Sequence, residues 1–357
     1  MRSSLGGPHD SVAADVCRAC CDWPLPETDH LNPVVASLIL DRSDAAGADP
    51  VVRRHALAAL PIIDDTPLEP PPPRNRVVDA SVTDLRRVLP LPDRDARDAM
   101  DGDVREPPAE VRWSLAVMTS PRRRPTIDDG LRSLAAAGWD RVAVHQDGGN
   151  RPTIVADDVD LTATVAHRRR RIGAWPSFVA AMCDSMHRSG DADGHLVIQD
   201  DGLLTRCPAV RPYLNQCLRR IGPNSIATLY TASVDATGPP RWRRWDRPYL
   251  HGAVAILFGR DAASRFVDDI GSDPWRFCDP DSRRRRERRG IDGHVGRWAR
   301  QRGVPVWSAT RSLVWHLGDT STMWPGSAQV GIRRAGRFVE NELARGAATG
   351  AGRPNHA

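Results

Sequence analysis

The chain has 357 residues, 40% of them hydrophobic, enough for one large α/β domain with a sizeable core and a small accessory region. Its 50 basic and 45 acidic residues leave a net charge of +5, and with no lysine in the sequence every fixed cation is an arginine. This balance admits phosphorylated, nucleic-acid or anionic-membrane partners without choosing among them, whereas no apolar run approaches the ~20 residues of a membrane span.

Residues 1–65 read as a small cysteine-containing helical region, with helical composition at Leu31–Leu40 and Arg54–Leu60. Cys17, Cys20 and Cys21 have spacing that can begin a zinc site, with His9 or His30 to extend it. A structural zinc site needs four ligands and no second cysteine pair follows, so free cysteines in a helical cap are the simpler reading. The seven cysteines are an odd number and suit a reducing compartment better than a disulfide framework. Met1–Pro8 lacks the apolar core of a signal peptide. The expected location is cytoplasmic, or peripheral at a membrane. Pro67 and Pro70–Pro73 stiffen a Pro-rich, charged linker over residues 66–110, with one helix near Val82–Val88.

From Trp113 strands and helices alternate. Ser114–Met118 is a short apolar strand, and Thr119-Ser120-Pro121 with Arg122–Arg124 makes a basic turn. Thr126 with Asp129 predicts a capping box. Ile127, Leu131 and Leu134 then recur at helical spacing until Gly138. Arg141–His145 predicts the next strand, stopped by Gln146-Asp147-Gly148-Gly149; strand, helix, strand on short links implies a βαβ unit. A long loop with Arg168–Arg171 and Gly173 follows. Next comes a helix with Pro176 in its first turn and Phe178, Met182 and Met186 on one face. His195–Ile198 predicts a strand ending in Gln199-Asp200-Asp201. Further strands are expected at Ile226–Thr231, Gly252–Phe258 and Val304–Ser308, and helices at Asp261–Val267 and Asp292–Ala299. Residues 326–357 are expected to hold a C-terminal helix and a disordered tail from Arg345. The fold class is α/β: a mostly parallel sheet flanked by helices, with the helical N-terminal region beside it.

Asp200-Asp201 ends a buried strand, where open α/β sheets place ligands. Carboxylate oxygens suit a hard cation such as Mg²⁺ or Mn²⁺, able to neutralise a departing diphosphate; a plain aspartate turn uses the same residues. Arg168–Arg171 lies within reach of such a diphosphate. Arg283–Arg286 reads as a solvated run, or as a contact for an anionic acceptor, a membrane or nucleic acid. Trp242, Trp245 and Tyr249, set among arginines, could form a sugar platform, part of the core or a lid. Asp292 suits a helix N-cap and also a general base, with His251 a weaker candidate base.

The order of these features over residues 113–323 resembles the GT-A type nucleotide-sugar glycosyltransferases. The resemblance is carried by Thr119-Ser120-Pro121 after the first strand, Gln146-Asp147-Gly148 after the second, and the Gly173–Ala181 turn into a helix. Gln199-Asp200-Asp201 stands in the place of the family's acidic motif, and Ser312–Ser321 is similar to its Ser-Leu-Val-x-His-x-Gly-x-x-Ser segment. It implies a GT-A domain over residues 111–325. The implied activity moves a sugar from a nucleotide sugar, UDP-sugars foremost, to a hydroxyl of a glycan, lipid or protein, assisted by Mn²⁺ or Mg²⁺. It implies donor contacts from Thr119, Ser120, Arg123, Asp147, Gly173 and Asp200. It implies metal ligation by Asp201, Asp200 and His316, and catalysis by Asp292 and Asp201. Gln199 departs from the family's acidic residue and removes one carboxylate. Two alternatives stand beside this reading. One is a nucleotidyltransferase on a similar sheet, although Thr119–Arg124 has no glycine where that class usually has several. The other is a degenerate, non-catalytic domain that binds nucleic acid through its arginine loops, nucleic acid being the less expected partner.

Overall fold

The computed structural model describes residues 72–73, 76–93, 110–122, 125–152, 158–232, 236, 238–246, 250, 253–271, 274, 290–317 and 335–350. All belong to one unit built from residues 69–317 and 335–357. The cysteine-containing region 1–65, with Cys17, Cys20, Cys21, His9 and His30, lies outside the described residues, as do Arg123, Tyr249, His251 and Arg283–Arg289.

The first element, α1 (Val82–Val88), starts where Ser81 and Asp84 close a reciprocal capping box, and Arg86 and Arg87 complement its last turn. The segment around it is not a free linker. Leu85 and Leu89 are fully buried, Leu89 O accepts from Tyr213 Oη at 2.9 Å, and Val78 N–H donates to Arg206 O at 2.8 Å. There follow β1 (Trp113–Thr119), α2 (Ile127–Ala136), β2 (Arg141–Asp147), β3 (Thr162–Arg168), α3 (Ala174–Ser189) and β4 (Gly194–Gln199). The chain continues through β5 (Gly202–Leu204), α4 (Val210–Ile221), β6 (Ile226–Thr228), β7 (Trp242–Arg244), β8 (Ala255–Gly259) and α5 (Arg260–Ile270). It ends with α6 (Ile291–Arg302), β9 (Val306–Ala309), β10 (Val314–His316) and α7 (Val339–Gly350).

Several expectations are corrected. Thr126 makes no side-chain cap on α2, because its backbone is already near-helical (φ −117°, ψ −7°) and its hydroxyl cannot turn back over the first amides. The stretch after β2 is not all loop: Thr162–Arg168 forms β3, hydrogen-bonded to β2 along its whole length. Asp292 is not the N-cap of α6. Extended Gly290 holds that place and Asp292 is the second helical residue. The tail expected to be disordered from Arg345 is helical to Gly350, since Val339 and Leu343 bury against the core.

The large sheet has the order β3-β2-β1-β4-β8-β6-β9-β7. β3, β2, β1 and β4 are mutually parallel. β8 enters antiparallel between β4 and β6, β9 again pairs parallel with β6, and β7 closes the edge antiparallel to β9. The expected α/β class, a mostly parallel sheet flanked by helices, is the observed one. Alternation along each strand feeds two cores. Leu115, Val117, Val142, Val144, Leu196 and Ile198 pack with α1, α2, α4 and α7. Ala116, Met118, Val197, Ile256 and Phe258 pack with α3, α5 and α6. A sheet buried on both faces supports continuous apolar strands. Among the described residues, no helix is long and apolar enough to cross a membrane.

Candidate functional site

The site lies at the carboxyl ends of β1, β2 and β4. The β1–β4 register sets Met118 opposite Gln199, so the turn after β1 meets the acidic turn after β4. Asp200 N–H donates to Met118 O at 2.9 Å, and Thr119 Oγ1 donates to Asp200 Oδ2 at 2.7 Å. Helix α2 packs directly on this turn: a Cβ at Gly130 would stand 3.0 Å from Asp200 O. The two-stranded β5–β10 ribbon pairs His316 with Gly202, and Leu317 N–H donates to Asp201 O at 2.8 Å. His316 Nε2 thereby stands 3.4 Å from Asp201 Oδ2, and its ring meets Tyr230 edge-on.

Arg122 turns back from the end of β1 onto both carboxylates. Its Nη2 is 2.5 Å from Asp200 Oδ1 and its Nη1 is 3.2 Å from Asp201 Oδ2. Burial pushes the Asp200 carboxyl up to about 7, with Asp201 adding to the rise and Arg122, Thr119 and Thr126 opposing it. Burial also works against ionisation of Asp201, but His316 and Arg122 overcome it and hold Asp201 well below the usual carboxylate range. The pair therefore titrates as a unit, one carboxylate firmly ionised and the other taking a proton near neutrality.

Asp147, at the end of β2, accepts backbone N–H bonds from Ile172 at 2.8 Å and Gly173 at 2.9 Å. Gly173 is the N-cap of α3 with φ +93°, a conformation only glycine adopts readily, so the expected Gly-turn into this helix is present. Arg171 Nη2 donates to Ser120 Oγ at 2.5 Å, which joins the β1 turn to the loop before α3. Asp292 stands in the first turn of α6, where its Oδ1 accepts from Gly293 N–H at 3.0 Å. The start of α6 rests on the start of α3 through His294 stacked on Trp175, ring centroids 4.5 Å apart.

Of the residues picked from the sequence, Thr119, Asp200, Asp201 and His316 are brought together, and Ser120, Asp147 and Gly173 flank them. Asp292 lies on α6, whose His294 stacks on Trp175 at the start of α3. Trp242 is core, its Nε1 bonded to Tyr213 Oη at 2.9 Å, so it is no sugar platform. Arg122 is the residue that sequence reasoning missed. Its signal, an arginine run after the first strand, was visible, but three identical neighbours do not reveal which one turns inward.

The expected metal set of Asp200, Asp201 and His316 was tested against its donors. Thr119 and Arg122 take both oxygens of Asp200, and Arg122 and His316 approach Asp201 Oδ2. Asp201 Oδ1 alone among these four carboxylate oxygens is buried without a partner. Among the described residues, no group of three or more His, Cys, Asp or Glu side chains is disposed to hold a metal ion. As arranged, the protein offers a divalent cation one unpartnered carboxylate oxygen beside a guanidinium, and the donors do not fit it.

No family model and no curated protein sequence matches the chain. Solved structures similar to it include the glycosyltransferase GlyE of Streptococcus pneumoniae TIGR4, at 11% identity and a TM-score of 0.33 over 56% of this chain. The match spans 45% of the length of that protein. Another is a glucose-1-phosphate thymidylyltransferase from Bacillus anthracis in complex with a sucrose, at 11% identity and a TM-score of 0.33 over 66% of this chain and 95% of that one. Likenesses so distant assign no activity.

Proposed function

We propose that the chain is a GT-A type glycosyltransferase that takes a nucleotide sugar, a UDP-sugar foremost, as donor and a hydroxyl of a glycan, lipid or protein as acceptor. The observation that carries this reading is the convergence of Thr119, Arg122, Asp200 and Asp201 at the carboxyl ends of parallel strands, with His316 facing them. The donor lies across the ends of β1 and β2. Thr119, Ser120 and Asp147 border the nucleoside, and the diphosphate points toward Arg122 and Arg171. The sugar sits beside the acidic pair and His316. Asp201, which stays ionised, faces the positive charge that develops at the anomeric carbon. The acceptor oxygen bonds to that carbon as the bond to the diphosphate oxygen breaks, and its electron pair leaves with the nucleotide. Asp292 accepts the proton from the acceptor hydroxyl.

The test is a panel of UDP-sugars assayed by melting temperature and UDP release. One donor should raise the melting temperature and be turned over, and Asp201→Asn should cut turnover by on the order of a hundredfold or more. Pyrophosphate released from a nucleoside triphosphate and a sugar 1-phosphate would instead establish nucleotidyl transfer. Salt-sensitive nucleic-acid binding with no response to any nucleotide sugar would also overturn the proposal.

A further inference from the structure

The structure assigns Arg122 as the resident cation of the acidic pair: its guanidinium occupies the charge position a divalent metal would take, and it meets the anionic donor in the metal's place. The assignment of the cation stands on geometry alone, while the nature of the anion rests on the proposed function.

The planar fork of Arg122 divides between two different carboxylates, Nη2 on Asp200 at 2.5 Å and Nη1 on Asp201 at 3.2 Å. The three side chains are 15%, 3% and 12% exposed, so water screens the pairing little. Neither carboxylate is free to turn away. Thr119 holds the second oxygen of Asp200, and the backbone of the acidic turn is bonded to Met118 on one side and Leu317 on the other. A divalent ion entering here must take the same oxygens and leave a buried guanidinium uncompensated, which is costly.

A second observation points to the ligand. Among the side-chain atoms of Arg122, Asp200 and Asp201, two are buried without a hydrogen-bond partner: the donor Arg122 Nε–H and the acceptor Asp201 Oδ1. A bare cation would satisfy Oδ1 and be repelled by the guanidinium. A molecule carrying both an anionic oxygen and a hydroxyl satisfies both atoms, the oxygen accepting from Nε–H and the hydroxyl donating to Oδ1. A sugar attached to a diphosphate offers that combination. Arginine suits the task because it stays charged and keeps unused donors after binding two carboxylates.

The experiment uses the full chain and Mn²⁺ alone, followed by electron paramagnetic resonance and by melting in Mn²⁺ or in EDTA. The wild type should take up no Mn²⁺ below on the order of 1 mM and melt identically in both. Arg122→Gln should melt lower, gain a Mn²⁺ site about tenfold or more tighter than that limit, and be raised in melting temperature by the ion. Stoichiometric Mn²⁺ on the wild type that disappears in Asp201→Asn would overturn the assignment. So would a folded Arg122→Gln that ignores Mn²⁺, since the carboxylates would then not be a cation position. Should Arg122→Gln fail to fold, Arg122→Met replaces it; it also removes the charge, and the same Mn²⁺ response, absent from the wild type, is expected of it. UDP serves as the second probe. Its affinity for the wild type should be the same in EDTA and in Mn²⁺, and at least tenfold weaker for Arg122→Gln. If no form binds UDP while the Mn²⁺ results hold, the glycosyltransferase reading fails and the assignment of Arg122 stands.

Discussion

Two histidines buried beneath α3 make the acid stability of this domain calculable. His145 on β2 and His195 on β4 are both fully buried, on the sheet face that carries α3. His195 Nδ1 meets Ser185 Oγ at 2.8 Å, and Ser185 in turn meets Ser114 at 2.7 Å. His145 Nε2 lies 3.4 Å from Asp184 Oδ2. Burial pulls each imidazole down to about 4; for His145, Arg168 and Arg188 add to the fall and Asp184 opposes it. A histidine depressed in the fold stabilises it above the unfolded value of about 6.5, and that contribution is lost as pH falls toward 4. Each is worth at most about 3 kcal/mol at 1.36 kcal/mol per pH unit. Asp200 works in the other direction: its folded value near 7 exceeds the unfolded one, so its contribution is present in acid and lost as pH rises through 7. Between about pH 4 and 6.5 the unfolded chain therefore binds about one more proton than the native one, from two histidines against one aspartate. Urea unfolding at steps through that window should show stability rising by about 1.4 kcal/mol per pH unit. Asp200→Asn should steepen the slope to about 2.7, and His195→Gln should flatten it to about zero. A wild-type slope that is flat or negative, or an Asp200→Asn slope no steeper than wild type, would refute the reasoning.

The C-terminal helix is latched by the buried Arg206–Glu340 ion pair, with Arg311–Glu342 as a second contact. Arg206 Nη2 meets Glu340 Oε1 at 2.6 Å, and its backbone N–H meets Oε2 at 2.9 Å. Glu340→Ala should cost about 3–5 kcal/mol and expose α7 to amide exchange, while Arg206→Met with Glu340→Leu should recover most of that loss in a denaturant melt. At Gly259 an added Cβ would sit 2.4 Å from Pro223 O, a backbone atom with no room to give. Gly259→Ala should therefore lower stability by about 1–3 kcal/mol, measured as a shifted urea midpoint with unchanged slope. Asp147→Ala leaves the Ile172 and Gly173 amides without their acceptor, so faster amide exchange at the start of α3 is expected, with about 2 kcal/mol lost overall.

What the sequence made legible follows periodicity. β1 and β4 announce themselves as apolar runs because both their faces are covered. α2 does so because Ile127, Leu131 and Leu134 share one stripe, and all three are buried. Edge strand β3 was hidden, since Thr162–Arg168 is half exposed and Val165 faces solvent, so its composition matches a loop. The antiparallel course of β8 was equally invisible, because Ala255–Gly259 is apolar throughout and reads the same in either direction. Residues 76–92 resembled a linker by their prolines and charges, yet Val78, Leu85 and Leu89 supply core contacts whose partners lie more than a hundred residues away. At the site, Asp200, Asp201 and His316 were found from their order along the chain. The grip of Arg122 was not, because it depends on the β1–β4 register that sets one turn against the other.

Gly130 sets the clearance between α2 and the acidic turn. Alanine is the better helix former by about 1 kcal/mol, so α2 taken alone would gain from the exchange. The added methyl would press on Asp200 O at 3.0 Å, so the acidic turn would have to give by a few tenths of an ångström. A sturdier helix and the present seat of the acidic turn thus pull in opposite directions at one residue. A library of this chain sorted first for thermal stability and then for turnover should separate the two at position 130.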